Sequence, residues 1–118
     1  MHVGVMTKNL RFPHMIIVSS DEVGGRKIVE VSGIVKGSAV RARGLLFDIT
    51  ALFRNILGGR VPEYGKLMHD TREEATELMV AEAEALGANA IVAVRYTTSM
   101  VASGTAEILA YGTAVKLR

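Results

Sequence analysis

The sequence predicts an α+β fold of four main strands and two helices in the order ββααββ, with the helices packed on the sheet. Three observations carry this. The stretch from Pro62 to Ala90 reads as one long helix closed by Gly87 and delivered straight into a strand. The stretches on either side alternate like strands and are punctuated by glycine. The two closing strands are apolar on both parities, the pattern of a strand covered on both faces.

A chain of 118 residues is one domain by length and can bury a modest core. Residues 1–14 read as an N-terminal arm, and residues 15–118 as the domain proper. Hydrophobic residues make up 49% and mean hydropathy is +0.28, so part of the apolar surface calls for a partner. Aromatics are only 5% and Trp is absent, which leaves Val, Ile, Leu, Ala and Met to build the core and the interfaces.

The pI of about 9.2 accompanies a net charge of only +2. Charge is unevenly spread: residues 1–60 hold nine Lys/Arg against four Asp/Glu, and residues 61–118 hold five against eight. That asymmetry suits complementary contacts between subunits. No basic run is interleaved with aromatics, so nucleic acid is not an expected partner. With no cysteine, disulfides, thiolate metal sites and thiol catalysis are excluded. No secretory pattern is visible and no apolar run is long enough to span a membrane as a helix, so the expected location is cytoplasmic.

In chain order, Met15–Ser19 is the first strand, rich in β-branched residues. Asp21–Arg26 is a turn with two glycines. Lys27–Val40 alternates, with Val29, Val31, Gly33 and Val35 on one face; Gly33 and Gly37 suggest a bulge or close packing against a helix. Leu45, Ile49, Leu52 and Ile56 form a helical stripe widened by Leu46, Phe53 and Leu57. Gly58-Gly59 stops that helix and Pro62 suits the first turn of the next.

The long helix covers about 25 residues, roughly 37 Å. Tyr64, Met68, Thr71, Ala75, Leu78, Met79, Glu82 and Leu86 follow its apolar period, while Asp70, Glu73, Glu74, Glu77 and Glu84 face solvent or a basic neighbour. Leu86-Gly87-Ala88 reads as a Schellman-type stop. Asn89–Met100 and Ala106–Leu117 are the last strands; two helices supply one cover for them, and another subunit the other.

The order of motifs supports a family resemblance. Gly33-Ile34-Val35-Lys36-Gly37 is followed by Asp48, by Gly58-Gly59-Arg60 with Tyr64, and by Arg72 in an Ala/Glu-rich helix. Leu86-Gly87-Ala88-Asn89-Ala90 and Gly112-Thr113-Ala114-Val115 complete the series. From about Met15 to Leu117 the chain resembles the YbjQ-type family, labelled as heavy-metal-binding. The resemblance implies a two-layer, dodecin-like subunit with an antiparallel sheet, assembling into a ring, commonly a pentamer. It implies no settled activity. Related metalloid-binding proteins depend on a cysteine that is absent here.

The residues offer two candidate sites. Gly58, Gly59 and Arg60 precede the start of the long helix, where free N–H groups and the helix dipole favour an anion; Tyr64 and Arg72, eight residues apart, are read as its possible walls. The glycines also suffice as a helix stop, and Arg72 equally suits an ion pair with Asp48 or Glu30 at a subunit contact. The alternative is a metal on His69 and Glu73, four apart on the helix, with no second cluster to complete the ligand set. No nucleophile with an adjacent base is evident. The expectation is therefore a non-catalytic homo-oligomer, a homopentamer or decamer, binding a small anion or acting as a scaffold. Metal-ion binding is the runner-up, an enzyme the third class, and no cofactor is implied.

Overall fold

The computed structural model describes residues 11–41, 62–102 and 105–118. Four strands and one helix are present there: β1 (Ile16–Ile17), β2 (Ile28–Arg41), α1 (Pro62–Ala85), β3 (Ala90–Ala102) and β4 (Thr105–Leu117). The α+β class holds, and the long strands and the long helix fall within a few residues of their expected bounds. The stripe at 45–57 and residues 1–10 of the arm lie outside the described residues.

The sheet order is β1-β3-β4-β2. β2, β4 and β3 pair antiparallel, as expected, and β3 and β4 close through Ala102↔Thr105. The sheet is nevertheless mixed, because the two residues of β1 pair parallel with Ala90 and Ile91 of β3. β1 and β2 therefore occupy opposite edges, and the Asp21–Arg26 turn does not join a hairpin. The chain between them crosses one face of the sheet. Strands of 13 and 14 residues at about 3.3 Å each account for a molecule of 50 × 28 × 19 Å.

α1 covers the other face. Ala75, Met79, Val80 and Ala83 bury against Val35 and Ala39 of β2, Ile108, Ala110 and Ala114 of β4, and Ile91 and Val94 of β3. Each fully buried Met or Ile stabilises the fold by about 2 kcal/mol. The approach is closest at Gly37, where an added Cβ would lie 2.8 Å from Leu78 Cβ and closer still to the Ala75 carbonyl and the Met79 amide. Met15, at the start of the domain, belongs to this cluster, and Phe12 from the end of the arm packs against it.

On the opposite face, Val23 is buried with Ala90, Val92, Val115 and Leu117, and Ile16, Val18 and Ile28 pack against them. This corrects the expected source of the second cover. At this end of the sheet the doubly apolar strands are covered by the chain's own residues 16–28, not by another subunit. Their signal came from sandwiching by an irregular segment, which hydrophobic parity cannot distinguish from a partner.

Three backbone devices shape the sheet. β2 shifts register between Val31 and Gly33, with Gly33 at φ 123°, so Val35, Gly37 and Ala39 turn to the helix while Val29 and Val31 remain 50% and 64% exposed. β3 shifts between Val92 and Arg95, with Ala93 at φ 55°. The bulge is held by residues 18–20: Ala93 N–H donates to Ser20 O at 2.8 Å and Val94 N–H to Val18 O at 3.0 Å. Gly87, at φ 77°, ends α1. Ala88 N–H reaches the Ala83 carbonyl at 3.1 Å and Gly87 N–H that of Glu84 at 3.0 Å, the two bonds of a Schellman stop.

Candidate functional site

The start of α1 is set by the sequence around Pro62, whose missing N–H and fixed φ suit a first helical turn. Gly58, Gly59 and Arg60 lie outside the described residues. Tyr64 is in the first turn of the helix. Arg72 is exposed, about 12 Å further along the axis and roughly 80° around it. The two residues are thus offset rather than stacked on one face, and Arg72 stands about 15 Å along the axis from Pro62. Its carbonyl accepts the Thr76 hydroxyl at 2.8 Å, and that hydroxyl also meets Tyr96 Oη at 2.7 Å.

The acidic face of α1 has the basic neighbour that was one of its two expected environments. Arg11 donates to Glu77 Oε2 and lies 3.4 Å from Glu73 Oε1, its guanidinium 5.9 Å above the Phe12 ring centroid. Lys66 pairs with Asp70 one turn on, at 3.3 Å. His69 is exposed and stands one turn before Glu73, so the pair expected for a metal shares a helix face. Arg11 places a fixed positive charge on that face. Among the described residues no group of three or more His, Asp or Glu is placed to hold a metal. Without thiolates, these side chains do not fit a soft heavy metal.

A further constellation is invisible in chain order. Cross-strand register sets Lys36 of β2 and Arg95 of β3 on either side of Tyr111 of β4, on the face away from α1. All three are exposed. Lys36 and Arg95 lie 75 and 16 positions from Tyr111 in sequence, and strand pairing is the signal that would have found them. Arg11 was likewise missed, because nothing in the arm's composition assigns it to the helix.

Residues 15–118 match the family model YbjQ_1, described as "Putative heavy-metal-binding". The chain belongs to the YbjQ family. Among its relatives, a UPF0145 protein of Halorubrum lacusprofundi is 48% identical over 104 residues, covering 88% of this chain and 100% of that one. A UPF0145 protein of Thermosipho melanesiensis is 50% identical over 103 residues, covering 87% and 95%. One of Methanosarcina acetivorans is 47% identical, covering 87% and 97%. Among solved structures, a protein of unknown function from Pediococcus pentosaceus superposes with a TM-score of 0.56 at 17% identity, over 88% of this chain and 98% of that one. That likeness shows a shared fold. Among the described residues no helix is long and apolar enough to cross a membrane.

Proposed function

We infer that this YbjQ-family chain is a non-catalytic, self-associating binding protein of the cytoplasm, a homopentamer or a stacked pair of pentamers, with a small anion held at the start of α1. The observation that carries the reading is the coincidence of an open strand edge with exposed apolar side chains. Beyond Val94 the outer edge of β3 has no strand partner among the described residues, and Tyr96 and Met100 there are 45% and 61% exposed. An unpaired edge carrying apolar groups is a template for association. For the anion, Gly58, Gly59 and Arg60 would present backbone N–H groups and one guanidinium, with Tyr64 and Arg72 as flanks.

Native mass spectrometry of freshly purified protein tests assembly and retained ligand together. The expected mass is several times 12.7 kDa; a clean monomer counts against the reading. Phosphate should raise the melting temperature of the wild type, and Arg60→Ala and Arg72→Ala should reduce that rise. A wild type unmoved by phosphate would leave both arginines structural.

The family's description favours a second reading, metal-ion binding through His69 and Glu73. It would require displacing Arg11 from Glu73 and recruiting ligands from elsewhere. Elemental analysis of untagged protein prepared without chelator separates the two readings: a stoichiometric metal supports this one, and a trace level sinks it.

A further inference from the structure

The sheet face away from α1 carries features that the anion reading does not use. Its central row is Lys36–Tyr111–Arg95, one residue from each of three adjacent strands. Neighbouring strands lie about 4.8 Å apart, so the backbones of Lys36 and Arg95 are roughly 10 Å from one another with that of Tyr111 between them. Arg95 is held in place: its Nη1 donates to Ser19 O and to Val94 O, both at 2.9 Å. A guanidinium has five N–H donors, so the remaining ones stay available in a fixed position. Lys36 is exposed, and its backbone N–H is occupied by Glu82 Oε1 at 2.9 Å, which anchors the strand without using the ammonium.

The surroundings set the size of what fits. On one side of the row Ile34 is 77% exposed, giving an apolar flank beside the ring. Just beyond it the face is closed by the crossing segment, which buries Val92 and Val115 under Val18 and Val23. On the other side Glu107 lies four residues along β4 from Tyr111, about 13 Å away. It accepts Ser38 Oγ at 2.6 Å and Ser99 Oγ at 3.5 Å, so the face turns acidic there. An extended polyanion would run into either the wall or this carboxylate.

We propose that this row is a binding site for a free nucleotide, the base stacking on Tyr111 and its phosphates held by Arg95 and Lys36. A planar base needs an exposed ring, and a diphosphate needs two cations within reach of it. The row supplies the ring and, on the strand to either side of it, one cation. Stacking on an aromatic side chain contributes irrespective of base identity, and an arginine fork matches phosphate oxygens bidentately. The proposal does not use Gly58, Gly59 or Arg60 and stands or falls independently of the anion reading.

The test is isothermal titration of the full chain with ADP, with inorganic pyrophosphate as the ringless control and a short oligothymidine as the extended one. ADP should bind saturably, pyrophosphate at least about tenfold more weakly, and Tyr111→Ala should weaken ADP about tenfold. Tyr111→Phe should keep wild-type affinity, and Lys36→Ala and Arg95→Ala should each weaken it. Arg60→Ala and Arg72→Ala should leave it unchanged. Circular dichroism melts of each variant distinguish lost binding from lost folding, and Lys36→Ala keeps the backbone bond to Glu82. No saturation at millimolar ADP overturns the proposal, as does equal binding by folded Tyr111→Ala. Loss of ADP binding in Arg60→Ala would move the ligand to the start of α1. Tighter binding of oligothymidine than of ADP would make the face a single-strand surface, and would also overturn it.

Discussion

At the scale of single residues, two glycines hold the layers in register, for different physical reasons. Gly37 is where the helix backbone touches the sheet, and an alanine methyl there would collide with the Ala75 carbonyl and the Met79 amide. Neither is a flexible side-chain end that can move aside. Gly37→Ala should therefore cost about 3 kcal/mol, the upper end of ordinary overpacking, seen as a fall in the urea midpoint with an unchanged m-value. A variant as stable as wild type would mean that the layers are further apart than described. Gly87 has open space around its would-be Cβ, but its φ of 77° excludes a β-branched side chain. Gly87→Val should lose about 2 kcal/mol or more from strain alone, whereas Gly87→Asn, which tolerates the left-handed region, should lose much less. Equal losses for the two would point to packing instead of backbone conformation.

At the scale of elements, the end of the arm acts as a strap across α1. Arg11 straddles Glu73 and Glu77, and Phe12 packs against the core beneath it. The ion pairs are about half-exposed, so Arg11→Ala should cost well under about 1 kcal/mol. That small difference should vanish in 1 M salt, where screening acts over about 3 Å. Phe12→Ala should cost about 1–2 kcal/mol, because the ring is only partly buried, and its effect should survive salt. Urea melts of the three proteins at low and high salt check this, and a salt-insensitive Arg11 effect would mean that the arginine works through packing. The contrast also shows what the sequence could and could not reveal. Periodicity located α1, β2, β3 and β4, and Leu86-Gly87-Ala88 revealed the helix stop, because these depend on neighbours within one or two turns. Pairing of β1 with β3, the crossing of residues 18–28, the Arg11 strap and the Lys36–Tyr111–Arg95 row all depend on contacts between distant segments. The bulge at Ala93 has no local signature, since alanine is held there by bonds from Val18 and Ser20. Of the expected anion site, Arg72 and the backbone of Tyr64 are described, and their offset around the helix follows from the eight-residue spacing itself.

At the scale of the whole molecule, the two sheet edges are treated differently, and this decides where association should occur. The β2 edge is partly closed by the helix, through the Glu82 carboxylate on Lys36 N–H. Among the described residues, the β3 edge is guarded by β1 and residues 18–20 only as far as Val94. From Arg95 to Met100 every residue is exposed, with Met100 at 61%. Protected and open edges on one sheet favour a directional contact over random aggregation. A charge at Met100 should therefore disfavour assembly while leaving the subunit core, which does not include this side chain, intact. We expect Met100→Lys to shift the native mass from a multiple of 12.7 kDa toward a single subunit. Its far-ultraviolet circular dichroism should match the wild type, since Ile91, Met79 and Ile108 remain packed. Lys36→Glu, on the partly closed edge and the opposite face, should leave the mass unchanged and weaken ADP binding. If Met100→Lys assembles as wild type does, the open β3 edge is not the contact. If Lys36→Glu dissociates the assembly, the far face is an interface, and the nucleotide site would have to be reached from within it.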